Sequence, residues 1–328
     1  MKIKKLLFPV FLLSSLIFSE TIVNGVLTES VKWFRKDGPF IINDDLVIPR
    51  KVSLTIEKGT EVFIYPKPKN IVSSSQGPIK QINSRDSSLV SIKVFGGLRC
   101  AGSYAKRITF KTFSGNGKTS EEKENKSASP GWYGIYLNNA DNDNTILSFT
   151  DFKGALYSVQ IEECSPIIKN CSFTENYTAI YLNGKSKSQI TNNVICDNHF
   201  VGILNANSSP RIAYNIICDN GAHGIWSDMV SAMNIEYNCF SGNTDSNLEN
   251  CDYRYGKLEK TNHNGDSVDF KDNLFKNPVF YGSDKHIELH KKDLKVPTDS
   301  AEATDPNLAR EINKRSSREY KPSGVPKI

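Results

Sequence analysis

Ile167-Ile168-Lys169-Asn170-Cys171-Ser172-Phe173-Thr174-Glu175-Asn176 is echoed by Gln189-Ile190-Thr191-Asn192-Asn193-Val194-Ile195-Cys196-Asp197-Asn198. It returns as Arg211-Ile212-Ala213-Tyr214-Asn215-Ile216-Ile217-Cys218-Asp219-Asn220 and as Asn234-Ile235-Glu236-Tyr237-Asn238-Cys239-Phe240-Ser241-Gly242-Asn243. The closing asparagines at 176, 198, 220 and 243 set a period of about 22 residues, the mark of an internal repeat. Between these phrases lies a second: Ala179-Ile180-Tyr181-Leu182, Gly202-Ile203-Leu204-Asn205 and Gly224-Ile225-Trp226-Ser227. Each period thus holds short runs rich in β-branched residues, separated by Asn, Gly and Ser, and no segment long enough for a 3.6-residue helical pattern. A leucine-rich repeat of similar period would need a leucine ladder and a helical half, and the repeat has neither. Two or three strands per turn are implied, wound as a β-solenoid.

In such a coil equivalent residues stack at the strand spacing of about 4.8 Å, and inward side chains form ladders. Ile168, Ile190, Ile212 and Ile235 make one predicted ladder, and Val159, Ile180, Ile203 and Ile225 another. Asn176, Asn198, Asn220 and Asn243 suit the corners. Asparagine tolerates the left-handed backbone that a sharp corner needs, and its stacked amide can bond the next turn's backbone.

The Gly-Ile-x-x and Ile-x-x-Asn-x-Ile-x-x-Asn phrases resemble the right-handed parallel β-helix repeat of the pectin-lyase-like superfamily. The flanks extend the likeness. Leu54-Thr55-Ile56-Glu57-Lys58-Gly59-Thr60-Glu61-Val62 is similar to the entry coil of bacterial secreted β-helix proteins. Ile92 to Ser103, Arg107-Ile108-Thr109-Phe110 and Trp132-Tyr133-Gly134-Ile135 are similar to the coils that follow it. Asp272-Asn273-Leu274-Phe275-Lys276-Asn277-Pro278-Val279-Phe280 resembles the way such proteins leave their last coil. The resemblance covers roughly residues 31 to 280. It implies an all-β, right-handed solenoid of about seven to eight coils and leaves activity open, because the superfamily mixes lyases, hydrolases, esterases and non-catalytic surface proteins.

Working outward, Lys2, Lys4 and Lys5 precede an apolar run from Leu6 to Phe18, and Ile17-Phe18-Ser19 suits cleavage, so residues 1–19 read as a secretory signal peptide. The run is shorter than the ~20 apolar residues of a membrane anchor. Residues 20–280 form the predicted solenoid domain, with the aromatic-rich entry Trp33 to Phe40 as the cap that a solenoid end requires. Two polar insertions, 66–88 and 113–130, read as solvent loops. Residues 281–328 are charged and poor in aliphatics, as in a weakly ordered basic tail.

Of the formal charge of +5, residues 1–19 contribute +3 and residues 306–328 contribute +4, which leaves −2 on the body. That excludes a basic polyanion-binding body, so nucleic acid is not an expected partner. An exported monomer in the periplasm, at the cell surface or outside the cell is expected, with no membrane span after cleavage. Seven cysteines in an exported chain suggest disulfides. Cys196 and Cys218, however, share one repeat position, where parallel inward side chains suit a buried thiol ladder as well as a bridge. The expectation is mostly buried free thiols.

Catalytic patterns of the superfamily are sought in vain: there is no aspartate cluster with Gly-His-Gly, no Gly-x-x-Asp-Phe-Ile-Phe-Gly, and no Asp-His calcium-side signature. One lyase option remains, in which Lys187 and Arg211 near one corner abstract a uronic-acid proton while calcium neutralises the carboxylate. Calcium is expected only under that alternative; no cofactor and no metal site is expected otherwise. His199 and His223 read as near-equivalent corner residues and as surface filler. Strand alternation turns Tyr136, Gln160, Tyr181, Leu204 and Trp226 outward on one sheet. Tyr136, Tyr181 and Trp226 are therefore the ligand-binding candidates, a strip near 20 Å long that stacks on sugar rings if open, or a satellite core if an insertion or the tail lies across it. An open strip predicts that Trp226→Ala leaves folding intact. Together these features point to a non-catalytic scaffold that binds carbohydrate or another envelope component; the alternative is a polysaccharide lyase acting on a uronic-acid glycan.

Overall fold

Three short strands form in each coil, because the apolar runs are three to six residues long and end where the backbone turns sharply. The computed structural model describes residues 20–66, 89–113, 130–228, 231–262 and 264–278. The leader at 1–19, nearly all of the insertions at 66–88 and 113–130, and the tail at 281–328 lie outside the described residues. Strand β1 spans Thr21–Val26, β2 Val31–Trp33 and β3 Phe40–Ile48.

The first face of the solenoid is an eight-stranded parallel sheet that starts at β2, continues through Ser53–Glu57 and ends at Asn234–Glu236, so it counts eight coils. The second face runs from the front half of β3 through Glu61–Ile64 to Cys239–Ser241. The third runs from the back half of β3 through Ser91–Val94 to Ser246–Glu249. Both insertions leave the coils at one corner, between the second face and the third.

The predicted inward ladders stand in register. Trp33, Ile56, Cys100, Leu147, Ile168, Ile190, Ile212 and Ile235 line the first face. Ile92, Ile135, Val159, Ile180, Ile203, Ile225 and Leu248 line the third. On the second face Phe110, Phe152, Phe173, Ile195, Ile217 and Phe240 share a column. Gly202 opens its strand because a Cβ there would sit 2.6 Å from the Gly224 carbonyl, closer than any side chain permits.

Two asparagine ladders hold the corners. At the outer one, Asn176, Asn198, Asn220 and Asn243 are linked amide to amide at 2.8–3.0 Å, and each amide also reaches a carbonyl of the preceding coil. The second, between the first and second faces, runs Asn193, Asn215, Asn238, Asn273. Cys171 continues it, its thiol donating to the Leu147 carbonyl at 3.5 Å where the asparagines use an amide. The left-handed residues are not the ladder asparagines expected from the sequence but their predecessors: Glu175, Asp197, Asp219 and Gly242 at one corner, Asn170, Asn192, Tyr214 and Tyr237 at the other. The turn and the side-chain bond are separate jobs done by adjacent residues.

The ends differ from expectation in one respect. Trp33 and Phe40, predicted as cap, stack at 4.4 Å inside the first coil, because Trp33 falls in the inward column with Ile56; β1 is the outermost strand, parallel to β3. At the far end the chain leaves after Glu249 and returns so that Asn273 joins its ladder and Phe275 stacks on Phe240 at 5.5 Å. The buried Asp269 carboxylate ends that ladder, accepting from the Asn273 backbone N–H and amide.

Five cysteines lie outside any disulfide, four of them buried, but Cys196 and Cys218 form a disulfide with Cα atoms 4.7 Å apart. They follow the inward Ile195 and Ile217, so alternation places them outside the core ladder, where in-register neighbours lie within disulfide reach. The bridge closes a loop of 22 residues. Loop-closure entropy makes its loss cost about 3 kcal/mol. Reductant, or Cys218→Ser, is therefore expected to lower the urea midpoint accordingly, read by circular dichroism; an unchanged midpoint would mean the bridge is absent or energetically idle.

Candidate functional site

The outward column of the third face is where the sequence places its ligand candidates, and the register agrees: Tyr136, Gln160, Tyr181, Leu204, Trp226 and Glu249 are consecutive neighbours. Each side chain arises by alternation from the inward ladder beside it. Their exposure decides their role. Tyr136 is 8% exposed, Tyr181 4% and Trp226 9%. Tyr157, Tyr181, Val201, Leu204, Ala222 and Trp226 form a second buried apolar cluster, separate from the core inside the coils, with Tyr133, Leu156, Phe200 and Ala206 packed against it. Tyr133 and Tyr157 meet edge-on at 5.8 Å, and Tyr157 and Tyr181 lie at the same distance.

At the N-terminal end of this column the polar atoms are partnered. The Tyr136 hydroxyl bonds the Glu162 carboxylate and receives the Asn138 amide, and the Tyr133 hydroxyl donates to Gln160 at 2.6 Å. Burial pushes the Tyr181 phenol up to about 12, with Glu162 and Tyr136 adding to it, and burial raises Tyr157 as well. These groups are neutral throughout the physiological range. Trp226→Ala is now expected to cost about 2–4 kcal/mol rather than leave folding intact, because it removes a large ring from a packed cluster. Urea denaturation checks this; a shift below about 1 kcal/mol would mean the ring stands free of its neighbours.

The lyase candidates stand apart. Arg211 pairs with Gln189 across the coils, whereas the backbone bond from Ser209 to the Ser186 carbonyl aligns Ser209 with Lys187. Lys187 is exposed and its backbone N–H is held by the Ser165 hydroxyl at 2.9 Å. Arg211 is engaged: its guanidinium meets Glu236 at 2.7 Å and lies 5.6 Å from the Tyr214 ring centroid. Among the described residues no three His, Cys, Asp or Glu side chains converge as a metal site requires.

The histidines are not equivalent. His199 and Gly221 bond the preceding coil at matching positions, so His223 lies two residues further on. His223 Nδ1 is 2.9 Å from the Ser246 hydroxyl, which donates to Glu249 at 3.2 Å. Other charges are paired locally, such as Lys93 with Asp45, Arg107 with Asp151 and Lys153 with Glu175 at 2.6–2.8 Å. No helix among the described residues is long and apolar enough to cross a membrane.

Against known protein families, residues 96–284, more than half of the chain, match the model described as the right handed beta helix region. No curated protein and no solved structure matches the chain.

Proposed function

The chain belongs to the right-handed β-helix family, and on that premise we propose that it is an exported, non-catalytic scaffold whose rigid solenoid presents a surface to carbohydrate or another envelope component. The observation that carries this reading is the covered third face. A polysaccharide lyase needs an open groove with convergent charged groups; here the outward aromatic column is packed and Arg211 is committed to Glu236. Charge pairs are spread over several coils rather than converging on one groove. Repeat coils that each present the same corner also suit a ligand that is itself periodic.

The test is incubation of the purified protein with uronic-acid polysaccharides and calcium, followed by ultraviolet absorbance of unsaturated product, alongside retention on immobilised glycans. Retention without product is expected. Product formation abolished by Lys187→Ala or Arg211→Ala would replace the scaffold reading with the lyase one.

A further inference from the structure

The corner residues that precede the second asparagine ladder are Asn170, Asn192, Tyr214, Tyr237 and Asp272, one per coil, with φ of 55°, 56°, 60°, 55° and 61°. Asn and Asp visit this left-handed conformation readily, because a short polar side chain bonds its own backbone; for a bulky aromatic it is a genuine outlier. Two consecutive coils nevertheless carry tyrosine. Core packing does not offset that strain: both tyrosines are half-buried, and neither belongs to a buried apolar cluster. Their rings stack on each other, centroids 5.2 Å apart and 2° from parallel. Residues that break a local preference with no gain in the core mark places where a surface is used.

We propose that this corner is a binding file for a linear, neutral, hydroxyl-rich glycan, centred on Tyr214 and Tyr237; the inference rests on the carbohydrate-binding reading above and supplies the surface that the covered third face does not. Three features fit that ligand. The file repeats once per coil, close to the rise of one pyranose unit along an extended chain. Four members offer a group that bonds sugar hydroxyls: amides at Asn170 and Asn192, phenols at Tyr214 and Tyr237. Two of the cations beside the tyrosines are paired locally, Arg211 with Glu236 at 2.7 Å and Lys260 with Asp272 at 2.9 Å, which weakens the attraction a polyanion would find.

The double variant Tyr214→Asn/Tyr237→Asn tests this, since asparagine is what the two preceding coils carry. Affinity electrophoresis would use soluble β-glucan, galactan and mannan as neutral probes and polygalacturonate as the polyanion, each at low and raised salt. The wild type is expected to be retarded by at least one neutral polymer, with retardation that survives salt because no ion pairs form. The double variant is expected to lose about tenfold or more in affinity while melting at the same temperature or higher. Equal retardation of variant and wild type overturns this site alone. A lower melting temperature in the variant also overturns it, since the rings would then be structural. Retardation by polygalacturonate only, abolished by salt, overturns the neutral class. A wild type retarded by no polymer overturns the carbohydrate reading and this inference with it.

Discussion

Asn198→Ala is expected to destabilise the protein by about 3–5 kcal/mol, among the largest effects available to one side chain that fills no core volume. The Asn198 amide oxygen accepts from the Asn176 backbone N–H at 3.2 Å and the Asn176 amide at 3.0 Å. Its nitrogen donates to the carbonyls of Phe173 and Cys196 and to Asn220. All of this happens in a corner where Asn176 and Asn220 are fully buried. Truncation therefore strands the Asn176 backbone N–H beyond the reach of water, at about 1–3 kcal/mol, while the Asn176 amide keeps the Phe152 and Thr174 carbonyls; the rest of the cost is the bonds lost to Phe173, Cys196 and Asn220. Asn198→Asp keeps the acceptor but loses both donor hydrogens and faces the carbonyls with a buried charge, so it should be no milder. The exposed Asn192 is the control: Asn192→Ala loses only a left-handed preference, about 1 kcal/mol. Urea denaturation of the three variants checks the ranking, and an Asn198→Ala midpoint close to that of Asn192→Ala would mean the ladder is not holding the coils.

Phe152→Ala is the second large effect. Phe152 sits between Phe110 and Phe173 with centroids 5.3 and 5.0 Å away and rings within about 11° of parallel. It is 1% exposed. Truncating a buried phenylalanine costs about 3–5 kcal/mol, and the upper end applies where the surroundings cannot collapse into the cavity. Here they cannot: the neighbouring strands are fixed by parallel ladders on both sides and by the asparagine corner. Phe152→Leu leaves most of the volume filled and should cost roughly half as much. If the alanine and leucine variants unfold at the same denaturant concentration, the column is looser than the ring distances imply.

Much of this was legible in the sequence, for a physical reason. A solenoid interior is read out by two periods at once, 22 residues along the chain and two along each strand, so Ile168, Ile190, Ile212 and Ile235 could be placed in one column before any coordinates. The same alternation placed Tyr136, Tyr181 and Trp226 in one outward register. Their burial was not legible, because register along a repeat says nothing of what packs against its outside.

The corners were half read. Asparagine both accepts left-handed φ and bonds stacked amides, so the pattern alone could not say which of two adjacent residues does which; the structure gives the turn to Asp197 and the bonding to Asn198. Cys196 and Cys218 were misplaced for a related reason. At strand ends the inward parity passes to Ile195 and Ile217, which frees the cysteines to pair. The tyrosines at 214 and 237 stood in plain sight, directly before the ladder asparagines, in the column that Asn170 and Asn192 occupy two coils and one coil before Tyr214. The signal was a mismatch between residue type and backbone, visible only once φ at that column is known.

The central claim is that the outward aromatic column is a closed second core and the ligand-facing surface lies elsewhere. The chain has three tryptophans, and Trp33, Trp132 and Trp226 are 5%, 0% and 9% exposed, so intrinsic fluorescence reports on that column without labels. Acrylamide quenching of the native protein is therefore the most direct measurement. The predicted result is blue-shifted emission, weak quenching and a linear plot with no accessible fraction. A red-shifted component of about one third of the emission, quenched freely and removed by Trp226→Phe, would contradict the account and return the strip to the list of open binding surfaces.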